Sequence, residues 1–422
     1  MKTQRFEWTG PRLVAAEIRA WAQESAQAVD VEPIAREVLE GGDAALRRLS
    51  ERFDGAAPAS LRVDVGEIEA ALAGLDPAVR EALKLAAGNI RAVAEAQIDD
   101  APTKVELAQG QTVVMQDIAV GSAGVYAPGG RAAYPSSVLM CCIPARAAGV
   151  QRVAVASPPG GDGHVHPVVL AACALCEVDE VYAIGGAQAV IAFAVGTDTV
   201  TPVDVIAGPG NAWVQEAKRW AYGRVGIDAI AGPSELMLIA GHDTELDWAA
   251  LDLCAQAEHG ADSPLIAAAV EQAVLDGIES EVMSMAADRP SVTDAQLALV
   301  HVPDLADAVE LANAYAPEHL QLMSEDAYAL AAQVRTAGCV FVGRASGTAF
   351  GDYAAGSNHV LPTGGSGRFT GPLGPGVFRR RIANVSLPGQ AAEALAPYVD
   401  ALARAEGLPV HGESARAREG AK

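Results

Sequence analysis

The chain has 422 residues, and at roughly 150 residues per domain that length suggests two or three domains. Half of its residues are hydrophobic and a fifth are charged, the profile of a globular protein with a large core. The formal charge of −23 repels phosphate backbones and leaves no basic patch in view, which argues against a nucleic-acid partner.

The first residues, Met1-Lys-Thr-Gln-Arg-Phe-Glu-Trp8, contain no apolar run, so no secretory signal is expected and the cytoplasm is the expected location. Residues 1–24 read as an N-terminal helical arm, with Leu13, Ile18 and Trp21 as its apolar positions. Leu46, Leu49 and Phe53 continue a helical spacing, and residues 77–97 read as an amphipathic helix opened by proline after Asp76.

From about Gly124 short β-rich runs alternate with helical stretches. Val153, Val181 and Val203 open three such runs, and the last leads into a helix over residues 211–222. This is the pattern of βαβ units on a parallel sheet. A second series has strands near Leu236, Pro264 and Cys339. The expected fold is therefore α/β, with two Rossmann-like parallel-sheet domains, one inserted in the other, and small helical segments at both termini. The expected boundaries are 25–125 with 235–373 for the discontinuous first domain, 126–234 for the second, and 374–422 for a C-terminal tail domain. The longest uncharged stretch, residues 181–197, contains Gly185, Gly186 and Gln188 and reads as strand, turn and helix start; no membrane span is expected. Residues 363–378 read as a loop, residues 391–406 as a helix, and the last ten as a disordered end.

No dinucleotide fingerprint of the form G-x-G-x-x-G and no Walker loop occurs. The nearest phosphate cradle is Gly208-Pro-Gly-Asn211, between a strand and a helix, although a tight turn with no ligand would look the same. Cys141, Cys142, Cys173, Cys176, Cys254 and Cys339 lie mostly in apolar runs and read as buried free thiols; Cys173 and Cys176 have redox or zinc spacing without a second pair. Four places concentrate polar groups among apolar neighbours: Gln256 with His259, Glu318-His319, Asp352 with His359, and Glu406 with His411. Each has a bland counterpart, such as a satisfied surface histidine or an acid at a helix start. Taken together, Gln256, His259, Asp352 and His411 make a nitrogen and oxygen donor set that suits zinc, while Glu318 and His319 make an acid–base pair. Spacing alone does not group these places.

The same residues carry a family resemblance. The segment Gly124-Val-Tyr-Ala-Pro-Gly-Gly-Arg131 through Met140, the run Gly208-Pro-Gly-Asn211, Gly226-Ile-Asp228, Ala231-Gly-Pro-Ser-Glu235, Gln256-Ala-Glu-His-Gly260, Ala316-Pro-Glu-His-Leu320 and Gly351-Asp-Tyr353 resemble the histidinol dehydrogenase family, as does the stretch from Glu406 to His411. Arg131 stands where lysine is common. The resemblance implies one Zn2+ per subunit on Gln256, His259, Asp352 and His411, with Glu318 and His319 as the acid–base pair. It implies substrate contacts from Ser234, Gln256, His259, Glu318, Asp352, His359, Glu406 and His411, and an NAD site lined by Tyr126, Gln188 and Asn211. It also implies a homodimer whose C-terminal tails supply Glu406 and His411 to each other's active sites.

The expected activity is zinc-dependent, NAD-linked oxidation of L-histidinol to L-histidine through L-histidinal, the last step of histidine biosynthesis. The rival reading is a dehydrogenase of the same fold acting on another alcohol, such as a sulfonated diol. A covalent route through Cys141 or Cys142 is disfavoured, because the apolar run around them would bury the thiols.

Overall fold

A computed structural model describes residues 1–22, 29–129, 132–292 and 294–420. Gln23 and Glu24, the end of the expected arm, and Arg131 fall outside the described residues. The chain divides into two compact units, the first made of Met1–Gln97 and Gly121–Phe378, the second of Ile98–Val120 and Arg379–Lys422.

The strands, in chain order, are β1 (Lys2–Phe6), β2 (Thr103–Glu106), β3 (Thr112–Ala119), β4 (Ser122–Tyr126), β5 (Arg152–Ser157), β6 (Glu180–Ala183) and β7 (Val205–Ala207). They continue with β8 (Gly226–Ile227), β9 (Leu236–Ala240), β10 (Pro264–Ala269), β11 (Gln296–His301), β12 (His319–Met323), β13 (Cys339–Val342) and β14 (Arg379–Ser386).

The first unit holds two parallel sheets. One has the order β6-β5-β4-β7-β8 and is built from a single run of chain. The other, β1-β11-β10-β9-β12-β13, takes strands from both sides of that run. Its central strand β9 is apolar at every position because both faces are covered. Leu236 and Leu238 pack with Ala249, Ala250 and Leu253 of the helix Leu246–Ala257, whereas Met237 and Ile239 pack with Val14 and Ile18 of the helix Pro11–Ala22. Period-two alternation thus feeds two separate cores. Leu238→Ala would cost about 2–5 kcal/mol as a buried cavity.

The start of the chain differs from a purely helical arm. Residues Lys2–Phe6 add edge strand β1 beside β11, and the helix follows; Ile18 and Trp21 are buried while Leu13 is exposed. The uncharged stretch 181–197 forms the end of β6, a turn at Gly185 and the buried helix Gly186–Val195. No helix among the described residues is long and apolar enough to cross a membrane.

The second unit contains an antiparallel sheet, β14-β3-β2, pinned by Arg381 to Asp117 at 2.7 Å and by Arg379 to Asp100 at 2.6 Å. Its helices Gly389–Ala405 and Pro409–Arg416 pack on each other, with Gly412 against Asp400 where a Cβ would stand 2.3 Å from the carboxylate. Where composition points to a disordered end, proline at the first helical position instead opens a helix that runs to Arg416.

Candidate active site

A cavity of about 930 Å³ in the first unit is lined from the ends of both parallel sheets. On one side stand Tyr126, which ends β4, and the turn Gly208–Asn211, which follows β7. These are carboxyl ends of parallel strands beside the switch in strand order, where open α/β sheets bind ligands. On the other side stand Ser234, Glu318 and His319, at the amino ends of β9 and β12, with His259, Asp352 and His359 from loops and a short helix.

The turn after β7 is built for close approach. Gly208 has φ +125°, and a Cβ there would lie 2.2 Å from the Tyr126 carbonyl oxygen. A buried ion pair fixes it: Lys218 Nζ donates to the Gly208 carbonyl at 2.5 Å and to Asp228 Oδ1 at 2.6 Å, while Gly208 N–H donates to Asp228 Oδ2 at 2.8 Å. Asn211 caps the helix Ala212–Ala221, its Oδ1 accepting from Trp213 and Val214 N–H at 3.1 and 3.2 Å. The Tyr126 hydroxyl accepts from Gly186 N–H at 3.0 Å, and burial, aided by the Asp54 charge, pushes its pKa up to about 12. Gln188 lies in the next helix, buried, with its amide nitrogen unpartnered and outside the cavity lining.

The acid–base corner rests on hydrogen bonds that fix atom roles. Glu318 Oε2 accepts from the Ser234 hydroxyl at 2.5 Å and from Glu235 N–H at 2.8 Å, and Gln256 Nε2 donates to Ser234 Oγ at 2.7 Å. His319 Nδ1 stands 3.1 Å from the Glu235 carbonyl oxygen. A carbonyl can only accept, so Nδ1 carries a proton in either charge state, and Nε2 is the nitrogen that gains or loses one. Nε2 has no hydrogen-bond partner and lies 3.6 Å from Asp352 Oδ1. Burial opposes charge on this imidazole, but the Glu318 carboxylate and the contact with Asp352 outweigh it and hold its pKa well above the ordinary value. For Asp352 burial works upward, and the His319 ring beside it brings the carboxyl below its usual range.

His359 is tied at both nitrogens, Nδ1 to the Asp352 carbonyl and Nε2 to Ser137 Oγ, each at 3.0 Å; burial lowers its pKa and keeps it neutral. Gln256 ends the helix Leu246–Ala257, and His259 falls beyond it, so the two are presented by a helix end and not by one helical face. Pro317-Glu318 opens a strand where the sequence permits a helix start. Glu406 closes the helix Gly389–Ala405 and His411 lies in the helix Pro409–Arg416, both in the second unit and both exposed. Cys141 and Cys142 are fully buried and burial raises both pKa values, Cys142 well above the ordinary one, leaving no thiolate.

The sequence did not single out Glu235, Arg19, Lys218 or Asp228 as site residues. Glu235 and Asp228 sit inside quoted motifs, whereas Lys218, next to Arg219 in an amphipathic helix, looks like an ordinary surface lysine in the sequence.

The Histidinol dehydrogenase family model matches residues 18–419. The chain belongs to the histidinol dehydrogenase family. It is 44% identical over 397 residues to histidinol dehydrogenase of Thermobifida fusca, covering 92% of this chain and 90% of that protein. The corresponding protein of Ruegeria pomeroyi is 46% identical over 396 residues, covering 91% and 90%. The crystal structure of histidinol dehydrogenase from Elizabethkingia anophelis superposes with a TM-score of 0.90 at 31% identity, covering 99% of this chain and 98% of that one. The α/β fold with parallel sheets is therefore that of the family, and the chain is an oxidoreductase of that family.

Proposed function

We propose that this chain oxidises L-histidinol to L-histidine through L-histidinal in two NAD-linked hydride transfers, with one zinc ion per subunit, in the cytoplasm, as the last step of histidine biosynthesis. The observation that carries the reading is the His319 ring: Nδ1–H is held by the Glu235 carbonyl, with the Glu318 carboxylate 3.4 Å from the same nitrogen, so Nε2, 3.6 Å from Asp352, is the nitrogen left to exchange a proton with the substrate. Family membership supports L-histidinol as the substrate.

The donor set in the first unit fits zinc in kind. Gln256 Nε2 is engaged by Ser234, which leaves the amide oxygen as the donor, and His259 and Asp352 add an imidazole and a carboxylate. Zinc prefers four ligands, and these three donors leave one position for another. In this proposal it is His411 of the partner subunit, and Glu406 of the partner subunit meets the substrate amine, within a homodimer. When bound, zinc would anchor the substrate imidazole and amine and so orient the carbinol, and NAD+ would accept each hydride.

The residues of this chain then do the following. Tyr126 and Asn211 would line the NAD site in a domain spanning residues 126–234, with Gln188 buried behind its wall and the Gly208 turn offering main chain to the cofactor's phosphates. His319 Nε2 takes the hydroxyl proton as the first hydride leaves. His319 then returns that proton to solvent; Glu318, its Oε2 held by two donors, takes a proton from the water that adds to the aldehyde and passes it to the carbonyl oxygen, and His319 Nε2, free again, takes a hydroxyl proton of the hydrated aldehyde as the second hydride leaves. Ser234 and His359 shape the substrate side of the cavity. The test is a substrate panel with NAD+: L-histidinol turned over to histidine supports the assignment, and turnover of a sulfonated diol with none of L-histidinol overturns it.

A further inference from the structure

One residue, Glu235, touches both members of the acid–base pair with its main chain. Its N–H donates to Glu318 Oε2 at 2.8 Å, and its carbonyl accepts from His319 Nδ1 and from the His319 backbone N–H, each at 3.1 Å. Its side chain is almost wholly buried and is gripped by two groups from distant parts of the chain. Arg19 Nη1, on the helix Pro11–Ala22, lies 3.2 Å from Oε1, and the Tyr315 hydroxyl donates to the same oxygen at 3.4 Å. The Arg19 guanidinium also stacks on the Tyr315 ring at 4.1 Å and donates to the Tyr315 carbonyl at 2.5 Å. Tyr315 ends the helix Leu305–Tyr315, and Ala316, with φ +53°, turns the chain from there into Pro317-Glu318-His319. One guanidinium therefore holds both chain entries, that into β9 at Glu235 and that into β12 at Tyr315.

We propose that Glu235, anchored by Arg19 and Tyr315, is the positioning residue of the acid–base pair, so that the N-terminal helix sets the aim of Glu318 and His319. The proposal rests on the activity proposed above. Burying a carboxylate is costly unless it is paired, and here the pairing is spent on main-chain placement next to the reacting groups, away from the substrate itself. Neither Arg19 nor Glu235 lines the cavity, so their loss should leave substrate affinity alone and slow the chemistry. A misplacement of about 1 Å at such a pair costs on the order of 100-fold in rate.

The test is steady-state turnover of L-histidinol by the zinc-loaded, full-length protein and by Glu235→Ala, Glu235→Gln and Arg19→Met. Wild-type turnover must come first; without it the activity reading fails, independently of this proposal. With it, Glu235→Ala and Arg19→Met should lower kcat about 10- to 100-fold with KM within about threefold and zinc content unchanged. Glu235→Gln, whose amide oxygen still accepts from Arg19 and Tyr315, should return kcat to within about threefold of wild type. Oxidation of L-histidinal, measured separately, should slow in step, because both pair members are held. If Glu235→Ala does not fold, Arg19→Met and Glu235→Gln still decide. Wild-type kcat in Arg19→Met, a loss expressed in KM, or a Gln variant as impaired as the Ala variant would overturn the proposal.

Discussion

His319 Nε2 lies 3.6 Å from Asp352 Oδ1, so the base of the proposed reaction and a carboxylate of the proposed zinc site share one corner of the cavity. The two functions should nonetheless separate on substitution. His319→Asn keeps a side chain of similar reach but no base, and should cut both oxidations by about 10²- to 10⁴-fold with zinc retained. Glu318→Gln should slow oxidation of L-histidinal more than that of L-histidinol. Rates with each substrate and metal content by atomic absorption check the split; equal loss of both oxidations in Glu318→Gln would remove its proposed role in activating water.

The Lys218–Asp228 pair is buried, with side chains 1% and 3% exposed, and holds both backbone groups of Gly208. Lys218→Met leaves Asp228 without its cation and should cost about 3–5 kcal/mol, and the apparent KM for NAD+ should rise as the turn loosens. The double variant Lys218→Met/Asp228→Asn should recover part of the stability. Thermal melts and NAD+ titrations measure both effects.

Glu235 gives a pH signature. Burial raises its carboxyl from 4.5 to about 7, against the Arg19 charge and with that of Glu318 adding. A carboxyl raised on folding contributes stability that is fully present below its unfolded pKa and is lost as pH rises through the folded one. Wild type should therefore lose stability from this group between about pH 5 and pH 8, whereas Glu235→Gln should not. The difference in melting temperature should shift in favour of the variant across that range, and a constant difference would contradict the raised pKa.

Much of this arrangement is legible in the sequence, and the failures have physical causes. The runs around Val153, Val181 and Leu236 announce parallel strands because strands covered on both faces must be continuously apolar. Strand β1 has only Phe6 buried, β2 and β14 are polar and largely exposed, and β3, though it carries Val113, Val114, Met115 and Ile118, is half-buried at every position, so no alternation of apolar and polar residues marks any of them. Glu318 and His319 are conspicuous as adjacent acid and base, but the group that orients them is not. Arg19 and Glu235 are 216 residues apart, and only the packing of the N-terminal helix on the sheet brings them together. Likewise Gln256 and His259 come from the end of the helix Leu246–Ala257 and Asp352 from the short helix Thr348–Tyr353, an origin that spacing along one helix does not reveal.

The proposed sharing of active sites between subunits predicts complementation. His411→Ala and His319→Asn proteins should each be nearly inactive alone. Denatured together and refolded, they should form mixed dimers in which one site has both His319 and the partner's His411, restoring roughly a quarter of wild-type activity in an equal mixture. No recovery, with mixed dimers shown to form, would mean that His411 serves its own chain or none.

The most direct test is the number of NADH formed per L-histidinol consumed by zinc-loaded wild type, before and after chelation. The account predicts two NADH with histidine as the product, loss of turnover on chelation and its return with zinc. One NADH with the aldehyde released, or two that persist in the fully chelated protein, would contradict it.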